Sequence, residues 1–275
     1  MTPTELLAHL WDDYVAKAPQ ALRIHHLLEA RGERVQNDHL ALRGLALPGL
    51  DVAALARPFE AAGWQPRERY RFEEKRLAAR YWQHPDPALP KVFISELLLD
   101  ELSAPTRALL TELAAQVPAG FGGDGDLPWA GRPWRLTYGV YEQLLEESEY
   151  AAWVAAFGFG ANHFTVDVGA LTTFASLEAL NAFLTGEGFA LNPAGGLIKG
   201  SPAELLEQSS TLAEVRDVSF EDRHARVPTC YYEFARRYPL PSGELFHGFV
   251  PASADRIFES TDVAQARARD AQAPR

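Results

Sequence analysis

The 275-residue chain contains one cysteine, Cys230, and one methionine. A single thiol builds neither an internal disulfide framework nor a cysteine-based zinc cluster, which makes the cytoplasm the default compartment. Basic residues are scarce as well: 26 Lys and Arg against 37 Asp and Glu leave a net charge of −11, with the acidic residues spread along the chain. A nucleic-acid surface needs a basic stripe, so polyanions are not expected partners. No run of about 18 apolar residues is free of charge, so no membrane span is expected. The opening MTPTELLAHLWDDYVAK lacks a basic leader and places apolar residues at 6, 7, 10, 11, 14 and 15, the period of an amphipathic helix rather than a signal peptide.

The composition that remains, 47% apolar and 23% charged, suits a globular protein with a real core. Two helical patterns precede the segment QNDHLALRGL at 36–45, in which Leu40 and Leu42 take one strand face and His39, Ala41 and Arg43 the other. DVAALARPFEAAGW then reads as a helix capped by Asp51 and stopped by Gly63 before Trp64. The pattern returns 124 residues later. ANHFTVDVG sets His163, Thr165 and Asp167 against Phe164, Val166 and Val168, and SLEALNAFLTGEGF is again a helix ending in Gly188 and an aromatic residue. After each helix come strand-like segments, RYRFEEKRLAARYWQH and KVFISELLL in the first half, GLIKGS and CYYEFARRY in the second.

Each half therefore reads as β-α-β-β-β. Two such units bury their sheets by pairing, which predicts an α+β fold with a curved, barrel-like mixed sheet and a site on its concave face. The expected organisation is one catalytic domain over 1–275: N-terminal helices at 1–35, the first half at 36–100, a mainly helical connection at 101–160, the second half at 161–250, and a helix or frayed tail at 251–275.

Two inward histidines and a carboxylate on neighbouring strands would form the facial triad of non-haem Fe(II) enzymes, three ligands on one side of the metal and the other side open. Glu233 is the candidate carboxylate, because it shares a strand face with Tyr231 and Ala235 while Tyr232 and Phe234 pack the opposite one. A glutamate in so aromatic a strand is costly to bury unless paired or metal-bound. The bland alternatives are that the histidines are hydrogen-bonded core residues and that Glu233 pairs with Arg236, Arg237 or Arg43. His247 with Glu244 is the rival ligand pair. Arg43, on the face of His39, offers a bidentate clamp for an anionic substrate, or else sits at the rim and pairs with Asp38 or Glu33. The neutral run Gln208, Ser209, Ser210 and Thr211 either orients a keto acid or is a turn or helix C-terminus.

The blocks NDHLALRGL, KVFISELLLDELS, GANHFTVDV, KGSPAELLEQSSTLAEV and CYYEFARRYP together resemble the family catalogued as domain of unknown function 1338, whose characterised members are 2-oxoadipate dioxygenase/decarboxylases, or (R)-2-hydroxyglutarate synthases. The resemblance implies a fold related to the vicinal oxygen chelate superfamily and Fe(II) held by His39, His163 and Glu233. It further implies that Arg43 holds the distal carboxylate of the substrate, with Gln208 near it. The implied reaction takes 2-oxoadipate and O2 to (R)-2-hydroxyglutarate and CO2, in the context of lysine catabolism. Well-studied members are considerably longer, so this chain looks like a compact version. The rival functions are another metal-dependent enzyme on the same scaffold, such as an isomerase, lyase or extradiol-type dioxygenase, and a metal-free module that binds small acids.

Overall fold

The computed structural model describes residues 1–261. Helices α1 (Pro3–Lys17) and α2 (Pro19–Ala30) lead into strand β1 (Asn37–Leu45), helix α3 (Val52–Ala61) and strands β2 (Gln65–Phe72), β3 (Leu77–Gln83) and β4 (Lys91–Leu97). Helices α4 (Ala104–Ala114), α5 (Tyr138–Glu147) and α6 (Glu149–Phe157) connect this half to the next. There follow β5 (Ala161–Asp167), α7 (Leu177–Gly186), β6 (Lys199–Ser201), β7 (Leu206–Ser210), β8 (Val215–Ser219), β9 (His224–Pro228), β10 (Tyr231–Arg237) and α8 (Pro251–Phe258).

Eight strands form one curled mixed sheet in the order β2-β3-β4-β1-β5-β10-β7-β6. The order is symmetric about its centre. β1 and β5 pair antiparallel, β4 lies parallel to β1 and β10 parallel to β5, and β3 and β7 follow antiparallel to these. Each half is thus the expected β-α-β-β-β unit: β1-α3-β2-β3-β4 and β5-α7-β6-β7-β10. The second carries an added hairpin, β8–β9, that forms a separate two-stranded sheet. The Gly-aromatic signature has a common cause. Gly63 and Gly188 adopt φ of +106° and +86°, and the following Trp64 and Phe189 donate backbone N–H to Phe59 and Leu184, closing both helices in the same way.

The convex face is the core. Leu40, Leu42, Phe164, Val166, Tyr232 and Phe234 are fully buried there, with Trp11 and Tyr14 of α1 each 5.1 Å from the Phe164 ring. Leu6, Leu10 and Tyr14 recur at helical spacing and supply the buried stripe of α1. α8, within the segment read as a helix or tail, lies across the concave face against β2, β6 and β7. The expectation for 262–275 falls outside the described residues. The run Gln208–Ser210 belongs to β7, fully buried, which overturns its reading as a turn or helix C-terminus. Its hydroxyls are satisfied by helical segments packed on the strand, Ser209 by Asn181 of α7 and Ser210 by Ser260 just after α8, so polarity does not bar the strand.

Glu33 ties the N-terminal helices to the second half. Its carboxylate accepts the backbone N–H and hydroxyl groups of Thr172 and Thr173. Desolvation pushes its pKa up, but these four donors outweigh that and bring it down to about 2, from 4.5. A depressed carboxyl stabilises the fold above its unfolded pKa and loses that contribution on protonation. The stability advantage of wild type over Glu33→Gln should therefore be constant above about pH 5 and shrink as acid is added, which urea midpoints at neutral pH and near about pH 3 would check.

Candidate metal centre

Three neighbouring strands bring His39 (β1), His163 (β5) and Glu233 (β10) to one place on the concave face. Their ligand atoms lie within 4.8 Å of one another, and all three residues are buried. His39 Nε2 is 3.5 Å from Glu233 Oε1 and His163 Nε2 is 3.3 Å from Glu233 Oε2. The register explains the convergence: Ala41 faces His163, His163 faces Tyr231, and Thr165 lies between His39 and Glu233. Glu233 is wholly buried and none of the arginines weighed as partners reaches it. Arg236 bonds the Ala175 carbonyl and Arg237 bonds Asp38. Glu233 Oε1 instead accepts from Gln208 Nε2 at 2.6 Å, and Oε2 has no hydrogen-bond partner among the described residues.

The protonation chemistry suits a cation. Burial, together with the fields of His39 and Arg43, holds the His163 pKa well below its ordinary value, leaving a neutral imidazole whose lone pair is free. Burial raises the Glu233 pKa, against the pull of His39 and Gln208. A desolvated carboxylate with an orphaned oxygen, facing two imidazole nitrogens, is a donor set that a divalent ion would satisfy.

Each histidine is braced from behind. His39 Nδ1 lies 2.7 Å from Asp38 Oδ1, which fixes the tautomer and turns Nε2 toward Glu233. Successive strand residues normally point apart; a register irregularity between Asn37 and His39 lets Asp38 reach its neighbour. Asp38 in turn accepts from Arg237 Nε and Nη2 at 2.6 and 3.0 Å, with Lys91 Nζ at 3.8 Å. Burial alone would raise the Asp38 pKa, yet Arg237, Lys91 and His39 hold it well below the usual range. Arg237 also bonds the carbonyls of Phe246 and Gly248 and so fixes Phe249, whose ring meets His39 edge-on at 4.9 Å. His163 Nδ1 lies 3.2 Å from Asn162 Oδ1, and Tyr231 stacks on its ring at 4.6 Å.

Arg43 is 2% exposed and pairs with no carboxylate among the described residues. Both suggested partners are committed elsewhere, Asp38 to Arg237 and Glu33 to the Thr172–Thr173 loop. The guanidinium sits 5.0 Å from the Tyr150 ring, 4.9 Å from Trp153 and 5.9 Å from Phe258, donates at 3.4 Å to Thr261 Oγ1, and leaves Nε without a partner. Stacking on aromatic faces stabilises a cation but does not neutralise it. A buried guanidinium in this state can take up an anion by charge-assisted hydrogen bonds. Tyr150 is held there by three hydrogen bonds of its hydroxyl, from Gly44 N–H, to the Ser95 carbonyl and with the Ser95 hydroxyl. The connection read as a linking insertion thus supplies, through α6, two walls of the arginine's box.

A cavity of about 20 Å³ beside the triad is lined by Phe93, Gln208, Tyr231, Phe249, Ile257 and Phe258. A second, of about 180 Å³, is bounded by Arg43, Lys75, Arg76, Tyr150, Phe258 and Thr261, so Phe258 stands between the two. The rival ligands are not brought together. His247 and Glu244 lie outside the triad, Glu244 in an exposed turn. His9 stacks on Trp129, His84 packs on Trp64, and His224 opens β9. Sequence reading missed Asp38, Asn162 and Tyr231 as parts of the site. The usable signals were adjacency, Asp38 to His39 and Asn162 to His163, and the strand face that Tyr231 shares with Glu233.

The profile of the 2-oxoadipate dioxygenase/decarboxylase family matches residues 4–118 and 131–247. The rice 2-oxoadipate dioxygenase/decarboxylase, a chloroplastic/amyloplastic protein, is 33% identical over 288 residues, covering 94% of this chain and 78% of its own. Among solved structures, a Shewanella frigidimarina protein that carries a provisional hydrolase name is 45% identical, with a TM-score of 0.87 over 91% of this chain and 98% of that one. The rice hydroxyglutarate synthase in complex with 2-oxoadipate is 32% identical, with a TM-score of 0.88 over 96% and 93%. The fold is the vicinal oxygen chelate-like arrangement of paired units. The Shewanella chain, covered almost end to end, is as compact as this one. No helix among the described residues is long and apolar enough to cross a membrane. Family match and relatives agree: the chain belongs to the 2-oxoadipate dioxygenase/decarboxylase family.

Proposed function

We propose that the protein is an Fe(II)-dependent dioxygenase/decarboxylase that takes a 2-oxo dicarboxylic acid, 2-oxoadipate, with O2 to (R)-2-hydroxyglutarate and CO2. The observation that carries this reading is one sheet face holding both a buried His-His-Glu set and a buried arginine without a counter-ion among the described residues. His39, His163 and Glu233 would hold the metal by one side, leaving the other side toward the cavity. Iron bound there supplies the activation of dioxygen. The chain's own residues supply geometry. Asp38 holds the His39 tautomer, and the Gln208 amide fixes the rotamer of Glu233. Arg43 receives the far carboxylate, which sets where the chain of the acid lies relative to the triad. Phe93, Phe249, Ile257 and Phe258 exclude water.

The balance is C6 diacid plus O2 in, C5 hydroxydiacid plus CO2 out: C1 leaves as CO2, C2 becomes the new carboxyl, and its neighbour gains the hydroxyl. The cavity of about 20 Å³ holds about one water. Admission of a six-carbon acid therefore requires Phe258 and α8 to give way, joining this space to the larger cavity at Arg43.

The test is anaerobic reconstitution with Fe(II), then oxygen uptake and CO2 release with 2-oxoadipate for wild type and Arg43→Ala. Matched uptake and release should occur in wild type, with kcat/KM in the variant falling by roughly a hundredfold or more for loss of a charge-assisted bidentate contact. Protein with one iron per chain and no uptake on any 2-oxo acid would discard the dioxygenase reading in favour of an isomerase or lyase on the same scaffold. Turnover that survives Arg43→Ala intact would remove the arginine from the site.

A further inference from the structure

Tyr231 is one of the largest side chains at the site, and nothing in the reaction above uses it. It is completely buried on the face of Glu233, lines the cavity beside the triad, and stacks on His163 with an interplanar angle of 24°. Its position is built, not incidental, because Tyr14 Oη donates to the Tyr231 carbonyl at 2.5 Å and anchors the start of β10. Its own hydroxyl has no partner among the described residues. A buried hydroxyl without a hydrogen bond costs stability, and such a group in a cavity marks a place where a ligand completes the bond.

The neighbourhood states what that ligand is. In the register of the sheet Tyr231 lies level with His163 and Ala41, one step along the same face from Glu233 in the direction of Arg43. A phenolic hydroxyl is a donor at neutral pH. Arg43 Nε is a second donor left without a partner among the described residues. Two unsatisfied donors, one cationic, call for an acceptor that is anionic. Tyr232 supplies the contrast: its hydroxyl is also buried and unpartnered, but on the opposite face, in an aromatic cluster with Trp11, Tyr14 and Phe234.

We infer that Tyr231 is a specificity-determining residue, whose hydroxyl donates alongside Arg43 to the distal carboxylate of a 2-oxo dicarboxylic acid. This rests on the reading under Proposed function. It assigns to β10 a second task beside carrying Glu233: the same strand that presents a metal ligand selects diacid over monoacid.

The experiment compares anaerobic binding of 2-oxoadipate and of 2-oxohexanoate, the monoacid of equal length, to the Fe(II)-loaded full chain, for wild type, Tyr231→Phe and Tyr232→Phe. Tyr231→Phe should weaken 2-oxoadipate about tenfold to a hundredfold and leave 2-oxohexanoate within about twofold. KM for 2-oxoadipate should rise with kcat little changed, iron content should stay at one per chain, and Tyr232→Phe should move none of these. Equal weakening of both acids would reduce Tyr231 to a structural role and overturn the inference, as would no weakening of either. Wild type that binds the diacid selectively without consuming oxygen would overturn the dioxygenase reading alone, and the two-acid comparison would still decide the role of Tyr231. Wild type without preference for the diacid would overturn the carboxylate site and this inference together.

Discussion

Glu233→Gln is expected to abolish tight metal binding and to lower turnover of 2-oxoadipate at least about a thousandfold, while leaving the metal-free fold as stable as wild type or more so. The two effects have opposite signs for one reason. Glu233 is wholly buried, its ordinary partners are a single amide and two imidazoles, and burial raises its pKa. A raised carboxyl pKa means that folding opposes ionisation, so the metal-free protein loses stability as pH rises through that value. Glutamine keeps the shape and the contact to Gln208 but carries no charge to desolvate. A bound divalent ion reverses the account, since a metal at about a hundredfold over its Kd adds roughly 2.7 kcal/mol to the wild-type fold. The measurement is thermal unfolding with and without added Fe(II) or Zn(II), paired with metal analysis. Metal should raise the wild-type midpoint and leave that of Glu233→Gln where it was. If a chelator changes nothing in wild type and the variant unfolds earlier than wild type in its absence, the triad is a structural cluster and the metal-free alternative holds.

The triad was legible in the sequence because strand alternation puts His39, His163 and Glu233 each opposite a run of core residues, Leu40 and Leu42, Phe164 and Val166, Tyr232 and Phe234. The twofold repeat was legible for a similarly local reason, the shared helix stop at Gly63-Trp64 and Gly188-Phe189. What local pattern cannot carry is partnership across the sheet. Arg237 was weighed as a partner for Glu233, four positions away, and instead binds Asp38, 199 positions away, because β10 and β1 flank β5. Arg43 was weighed against the nearest acids, whereas its real surroundings, Tyr150, Trp153 and Phe258, come from α6 and α8. β7 was obscured because Gln208, Ser209 and Ser210 lack the β-branched, alternating look of a strand, their polarity being absorbed by hydrogen bonds that only the fold provides. The β8–β9 hairpin hid in the charged stretch VRDVSFEDRHARVP, where the exposed faces carry no core signal.

Asp38→Ala is expected to be the most destabilising single change in the site, by about 3–5 kcal/mol in the metal-free protein, because it strands a buried arginine. The side chains of Asp38 and Arg237 are 3% and 4% exposed, and their contact is bidentate. Burial alone would lower the Arg237 pKa, but Asp38 outweighs it and the pKa is raised, so without the aspartate a full charge remains with no carboxylate to meet it. Lys91, 3.8 Å from the same carboxylate, loses its partner too. The loss should spread to the metal. His39 Nδ1 no longer has an acceptor, which leaves its tautomer to the Thr165 hydroxyl at Nε2, and Phe249 loses the anchored loop that holds it against the ring, so metal affinity should fall about 10–100-fold on top of the stability cost. Asp38→Asn separates the two consequences. An amide oxygen can still accept from His39 but leaves Arg237 uncompensated, so stability should drop with metal affinity partly kept. The pH dependence has a definite sign. Asp38 has a depressed folded pKa, so the gap between wild type and Asp38→Ala should be full above the unfolded value of 3.8 and close as pH falls through the folded one. Urea unfolding of the metal-free proteins and calorimetric metal titration measure the two quantities. An Asp38→Ala protein within about 1 kcal/mol of wild type would mean that Arg237 finds compensation elsewhere, and that the brace behind His39 is not what orders this end of the sheet.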